Sequence, residues 1–590
     1  MQEYFAKTHA TMSTIDKTTM EFRLNTLLMI ADAGIAINKL SKMRKRLEKM
    51  SKLRLTSTSE MRTLIPPLLQ FEVEKLREEF KQKSVMIIFD GTTNVNDVFG
   101  IIFRYITDTF DIRHRVVAME KYQQPLTYEI LVAEILRQIT DYSFVLGQIS
   151  TMSRPSLRGD VVGFQQRGRD RDRISVNSSA VKMLLPIAVG SKDLECVSHT
   201  ITNAGKAMKT IVLLKLAQDV CSLIKDSCGA GRHWFNHMGK EFKQPGQTSW
   251  WAMFQNVFSI MHKRFAEVLC CLQTFSDEPD NILQDNGARI TRIRETVSNT
   301  VTVAILKLEL ESVISVCKPL MYATDLLEGN GPCAVVAWKV LTTIRRDFNF
   351  HIAALSFGGI LDEIDACASV TSVPNNRTIQ EEKENLKISV RAIITPIVEY
   401  YEDKIFNLMS KDVAVYEVLR WINPVSIIAD GGLNADFALR FRNGIKGLNY
   451  FTADEVNNMI ADLPRYIEKC HLEISDPTIY NETDYELQMN KTTLFWKKYC
   501  LNLTGIALLA RYAFTIATSS ASVERLFSVL KISFGKHQKT ALQDYVQLSC
   551  TRQYNRDEDI VIQAVDSDSG NVSDSADDNE SDEDGDSDIN

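Results

Sequence analysis

The hydrophobic pattern divides the chain into stretches of different period. Between residues 19 and 82, Leu24, Leu27, Leu28, Ile30, Ile35, Leu40, Leu47 and Leu53 recur at near-helical spacing with lysines and arginines between them, which predicts a basic helical region over 1–82. From Ser84 the period shortens. Val85 to Phe89, Val98 to Ile106 and Ile112 to Met119 are β-rich runs joined by turn-like Gly91 to Asp97 and Thr107 to Asp111, which predicts a three-stranded antiparallel meander. A helix follows, with Ile130, Leu131, Ala133, Ile135, Leu136 and Ile139 on one side, and then strands around Val161 to Phe164 and Leu194 to Ser198. Beyond about residue 255 the spacing is helical almost without a break; in Val301 to Leu326, for example, Val303, Leu306, Leu310, Val313 and Ile314 mark one buried face. Only Val370 to Thr378, carrying Pro374-Asn375-Asn376, reads as a long loop there. No repeat of 20 to 50 residues is present, which disfavours a solenoid.

A chain of 590 residues exceeds what one core usually supports. The texture suggests a helical region over 1–82, an α/β unit over 83–255, an all-helical block over 256–500, a closing part over 501–556 and an acidic, disordered tail over 557–590. That tail distorts the charge balance. Asp566 to Asp588 holds eleven acids and no lysine or arginine, so the net charge of −7 becomes −7 + 11 = +4 without it. A mildly basic remainder permits phosphate contacts without demanding them. Lys39, Lys42, Arg44, Lys45, Arg46, Lys49, Lys52 and Arg54 could track a DNA backbone, serve as a nuclear import signal, or form a solvated helix face. Leu501 to Ile516 is broken by Asn502, Thr504, Gly505 and Arg511, so no membrane partner is expected. Met1 to Leu24 lacks a signal-peptide core, and the eleven cysteines are expected as free thiols in a reducing compartment.

Three acids stand out. Asp90 ends the apolar run Val85-Met86-Ile87-Ile88-Phe89, where a carboxylate is costly to bury without a cation, although Asp before Gly is also a routine turn signal. Asp172 lies in Arg169-Asp170-Arg171-Asp172-Arg173, a pattern that solvated loops share. Glu524 follows Ser522, which can cap a helix starting at Val523 with Leu526, Phe527 and Leu530 facing inward; an acid is favoured at such a helix start for structural reasons alone. Cys196-x-x-His199 and His233-x-x-x-His237 could superficially supply zinc ligands, but Cys196 falls in a β-rich run where buried thiols are common, and no structural zinc is expected.

The segment Thr518 to Ser528, with Leu542, Leu548 and Asn555 after it, resembles the carboxy-terminal dimerisation motif of hAT-superfamily DNA transposases, an SSA-x-x-ER-x-FS block. Ile88 to Thr93, Phe103 to Ile106, Arg115 to Val117, Asp172 to Asn177 and Cys196 to Thr200 resemble further blocks of that family, in the same order. The resemblance implies an α/β, RNase H-like core split by a large all-helical insertion. It also implies a D-D-E set at Asp90, Asp172 and Glu524 holding two Mg²⁺ or Mn²⁺ ions about 4 Å apart for DNA strand cleavage and transfer. Trp250 or Trp251 would stack on an unpaired base, although adjacent tryptophans more often fill a core, and Ser520, Ala521, Arg525, Leu526 and Phe527 would contribute to a homodimer or higher homo-oligomer in the nucleus.

The chain also departs from the family. Ser249 stands where arginine is usual, Phe164 to Asp172 is long, so Asp170 or Asp160 could replace Asp172, and residues 1–80 hold no cysteine and only His9, hence no BED-type zinc finger. Two readings follow. One is a metal-dependent transposase; the other is a catalytically inactive domesticated relative, dimerising in the nucleus and binding DNA or protein.

Overall fold

A computed structural model of the chain describes residues 16–92, 97–122, 126–142, 161–166, 174–187, 191–226, 230, 233–234, 236, 250–277, 287–430, 435–474, 484–534 and 543–568. The protein is mixed α/β and mostly helical. Its amino-terminal helices are α1 (Lys17–Asp32), which Asp16 caps by accepting the Thr19 N–H at 3.0 Å, the basic α2 (Leu40–Ser51), and α3 (Ile65–Glu79), whose prolines fall in the first turn where no N–H is needed.

The predicted meander is present as β1 (Val85–Thr92), β2 (Asp97–Ile106) and β3 (Ile112–Tyr122), and both neighbouring pairs are antiparallel. After α4 (Tyr128–Asp141) the chain adds β4 (Val161–Gln166), then α5 (Ile174–Leu184) and β5 (Lys192–Glu195). The sheet order is β3-β2-β1-β4-β5, with β4 parallel to β1 and β5 parallel to β4. Alternation along β1 sorts its side chains between two cores. Val85, Ile87 and Phe89 join Leu76 of α3, Leu131, Ile135 and Ile139 of α4 and Val181 of α5, while Met86 and Ile88 join the larger core of the helical segments. Burial on both faces explains why β1 reads as a continuous apolar run.

The expected strand at Leu194 to Ser198 stops at Glu195, and α6 (Val197–Lys206) begins there with Cys196 as its N-cap, so the thiol sits at a helix start and not in a β-run. Beyond residue 250 the regular elements among the described residues are all helices, including the 28-residue α7 (Thr300–Leu327). The loop expected at Val370 to Thr378 is shorter than its composition suggests. A helix runs to Thr371, and Thr378 already caps the next one in a reciprocal bond set with Glu381.

Three closing helices return to the sheet: α8 (Thr504–Thr515), α9 (Ala521–Phe534) and α10 (Gln543–Asp568). α10 lies along the edge strand β3, where Asn555 Oδ1 accepts the Val116 N–H at 3.0 Å and Gln543 Oε1 accepts the Lys121 N–H at 3.1 Å. Those side chains occupy an edge that would otherwise be open to another strand. Arg552 ties α10 to α1 and α3 through Asp32, at 2.6 Å, and Glu72. α10 continues to Asp568, so residues 557–568 of the expected disordered tail are helical; extending a formed helix costs little even through acidic residues. Residues 569–590 lie outside the described residues.

Candidate active site

Asp90 sits near the carboxyl end of β1, the strand with β2 on one side and β4 on the other, and is only 5% exposed. Its antiparallel partner on β2 is Gly100, and directly opposed residues in such a pair project to the same face. That face is covered by α9. A Cβ added at Gly100 would lie 3.1 Å from Leu526 Cδ2 and 3.4 Å from both Val523 Cγ1 and Phe527 Cε1. The absent side chain therefore lets α9 approach the sheet at the level of Asp90, and Glu524, exposed in the first turn of α9, is delivered to that end of β1. Gly100→Val should push α9 off the sheet and cost about 1–3 kcal/mol of stability, read from denaturant unfolding.

The start of α9 differs from the expected one. The Ser520 carbonyl accepts the Val523 N–H at 3.0 Å and the Glu524 N–H at 3.4 Å, so the helix begins at Ala521 with Ser520 before it, and Ser522 lies inside the first turn. Alanine enters a helix readily, which moves the boundary towards it. This segment packs on the Cys196 block: the Val197 N–H donates to the Thr518 carbonyl at 3.0 Å, and the Ser520 N–H lies 3.4 Å from Cys196 Sγ. His233 does not join Cys196 and His199, since its ring nitrogen lies 3.3 Å from the Cys271 carbonyl; His237 falls outside the described residues.

Two arginines hang the loop after α7 on this site. Arg104, on β2 and 2% exposed, donates from Nε and Nη2 to the Phe514 carbonyl at 3.2 and 3.0 Å, and from Nη2 to Gly331 O at 2.9 Å. Its Nη1 lies 3.1 Å from His114 Nε2 and 3.4 Å from Asn330 O. Arg525, next to Glu524, donates to Glu328 O at 3.4 Å and to Asn330 Oδ1. Glu328 is thereby placed beside Glu524. Burial, then the charge of Glu524, pushes the Glu328 carboxyl up to about 7, opposed by a hydrogen bond from Ser198.

Of the residues singled out in the sequence, Asp90 and Glu524 come to one end of the sheet. Asp172 lies outside the described residues, as do Asp160 and Asp170, but β4 pairs Gln166 with Phe89, so the chain leaves β4 alongside Asp90. Among the described residues no group of three acids, histidines or cysteines is placed to hold a metal ion. Trp251 corrects an expectation: its ring is buried and its indole N–H donates to Thr202 Oγ1 at 2.8 Å, so it fills the core and cannot receive a base. The side chain of Trp250 lies outside the described residues. Ser520, Ala521 and Leu526 are also buried within the chain itself, because they form the seam of α9 against the sheet and the Cys196 block; they cannot meet a second copy in this fold. Phe527 and Arg525 are half-buried. Lys45 and Arg46 are exposed on α2, while Arg44 pairs with Glu48 at 3.0 Å.

The sequence reading gave no role to Arg104, which it named only within the block Phe103 to Ile106, and left out Glu328 and Asn330. A turn signal, Glu328-Gly329-Asn330-Gly331, was visible, but nothing in the sequence says that this turn meets Arg525. No protein-family model matches the chain, and no curated protein is significantly similar to it. Among the described residues no helix is long and apolar enough to cross a membrane.

Proposed function

We propose that this chain is a hAT-type, transposase-derived protein with an RNase H-like core, whose carboxylates at Asp90, Asp172 and Glu524 act in metal-dependent DNA strand cleavage and transfer. One observation carries the reading: Asp90, at the end of β1, lies under the helix whose first turn holds Glu524, from opposite ends of the sequence. The strand order β3-β2-β1-β4-β5, and a long helical stretch between β5 and the closing helices, support the RNase H-like assignment. Assembly into a homodimer or larger homo-oligomer and action in the nucleus belong to the same reading and rest on the resemblance.

The donor chemistry fits a hard divalent cation. The carboxylates of Asp90 and Glu524 are oxygen donors of the kind that suit Mg²⁺ or Mn²⁺. Asp90 and Glu524 would hold the metal together with Asp172, whose part in the site rests on the resemblance. Bound there, the ions supply activation of the attacking water or 3′-hydroxyl and charge stabilisation at the leaving oxygen. Gly100 lets Val523, Leu526 and Phe527 pack against β2, and this seam would set how closely the two acids approach.

The burial of Trp251 favours a second reading, a relative that keeps DNA or protein binding without cutting. Incubating the purified full chain with Mn²⁺ and supercoiled plasmid separates them. Nicking supports the enzyme; intact plasmid with a folded chain supports the binding protein.

A further inference from the structure

The basic helix α2 carries its charge on one side. Lys42, Lys45, Arg46 and Lys49 fall at i, i+3, i+4 and i+7, an exposed stripe on the side away from Leu40, the one residue of α2 that is buried. Lys39 before the helix and Lys52 after it are exposed as well. None of these six has an ion-pair partner among the described residues. The only acid between Lys39 and Arg54 is Glu48, and it is already engaged: it accepts from Arg44 Nε at 3.0 Å and from the Leu55 N–H at 2.8 Å. The first turn of α2 holds no acid and no side chain caps it, so the positive end of the helix dipole adds to the field of Lys39 and Lys42. Like charges one turn apart also repel along a helix. A partner with several anionic groups in series relieves that repulsion along the whole stripe, which a single ion does not.

Such a partner is attached to the chain. Asp574 to Asp588 holds nine acids and no lysine or arginine. It follows α10, which crosses the end of α1 close to where α2 begins: Tyr545 Oη donates to Ile35 O, and Arg556 lies 3.9 Å from Asp32, seven residues before Lys39. α10 ends at Asp568, about 18 Å of helix past Arg556, and the chain from there to Asp588 spans up to about 70 Å when extended, enough to reach α2. We infer that the acidic segment Asp574 to Asp588 docks on the cationic stripe of α2 in the same chain, as a tethered polyanion that covers this surface. Tethering favours it over a free polyanion, because an attached segment meets its site at an effective concentration in roughly the millimolar range. A nucleic-acid backbone matches the same charge pattern and has to displace the segment to bind there. The contact is independent of the metal site and of strand cleavage.

The test uses the full chain, mixed with a ¹⁵N-labelled copy, and carbodiimide crosslinking, which joins a lysine amine directly to a carboxyl group, read by mass spectrometry. At low salt Lys42, Lys45 and Lys49 should crosslink to Asp574 to Asp588 within one copy, well above exposed lysines elsewhere such as Lys411 and Lys491. The excess should vanish near 1 M salt, where the screening length falls to about 3 Å. Lys42→Gln, Lys45→Gln and Arg46→Gln together leave Lys49 as the reporter. All three side chains are exposed, so this variant should fold, and crosslinking at Lys49 should drop to the level at Lys491. A fluorescent DNA oligonucleotide, followed by anisotropy, reads the covering itself. With α2 covered for nine-tenths of the time, a full-length variant with Asn and Gln in place of the nine acids should bind the oligonucleotide about ten-fold more tightly, a gain that the three α2 substitutions remove. Crosslinks spread evenly over exposed lysines, or formed between labelled and unlabelled copies, would overturn the contact within the chain. Oligonucleotide binding that needs the stripe yet ignores the nine acids would assign α2 to nucleic acid and overturn the segment as its occupant.

Discussion

Asp90→Asn should lower Mn²⁺-dependent plasmid nicking by on the order of 1,000-fold or more, with the fold intact. The asparagine keeps the shape of the aspartate, so the contact between α9 and β2 at Gly100 should survive, and circular dichroism and the melting temperature should stay close to those of the wild type. What is lost is the negative charge at the end of β1. Glu524→Gln should act in the same way from α9, through an exposed side chain whose change barely touches the core. Groups that act as one unit are not additive, so the double variant should be no worse than the more damaging single one. Nicking that survives Asp90→Asn would place any nuclease activity elsewhere, while a fall that tracks unfolding would say nothing about the acid itself and is excluded by the melting measurement.

The second large effect is expected at Arg104, and it concerns stability. This guanidinium is 2% exposed and joins the sheet to two other segments, since it donates to the carbonyls of Phe514 in the last turn of α8 and of Asn330 and Gly331 after α7. Arg104→Ala leaves those buried acceptors without their donor and opens a hole between the sheet and the helical segments. A cost of about 3–5 kcal/mol is expected from denaturant unfolding, in line with the breaking of buried charged contacts. Arg104→Lys should rescue little, because one ammonium cannot reach carbonyls on both sides of the planar fork. A change below about 1 kcal/mol would mean that the loop after α7 holds its place without the arginine.

The meander was legible because its three runs are short, rich in β-branched and aromatic residues and separated by turn residues, and the place of Asp90 near the end of β1 follows from where the apolar run ends. Position within the sheet was not. Nothing local distinguishes β1 as the strand between an antiparallel and a parallel neighbour; that depends on β4, more than 70 residues later. The acids at positions 90 and 524 could be linked in sequence only through the family resemblance. In the structure the link is Gly100, where a missing side chain admits Val523, Leu526 and Phe527, a close approach that a lone glycine in a strand only hints at. Boundaries failed where two capping choices competed. Ser522 and Ser520 are both competent helix starters, and the Ser520 carbonyl decided the matter by taking the bonds from Val523 and Glu524. Trp251 failed for a different reason: an aromatic ring reads the same in sequence whether it waits for a base or fills a core, and only its bond to Thr202 separates the two. The roles of Glu328 and Arg104 were missed because the partners Arg525 and Phe514 lie 197 and 410 residues away.

Mn²⁺ binding by the purified full chain, followed by electron paramagnetic resonance as free Mn²⁺ is depleted, tests directly whether Asp90 and Glu524 form one metal site. Wild-type chain should take up Mn²⁺, and Asp90→Asn and Glu524→Gln should each weaken that uptake at least about ten-fold, with Mg²⁺ competing for the same site. Wild-type chain that takes up no Mn²⁺, or uptake that both substitutions leave unchanged, would contradict the account.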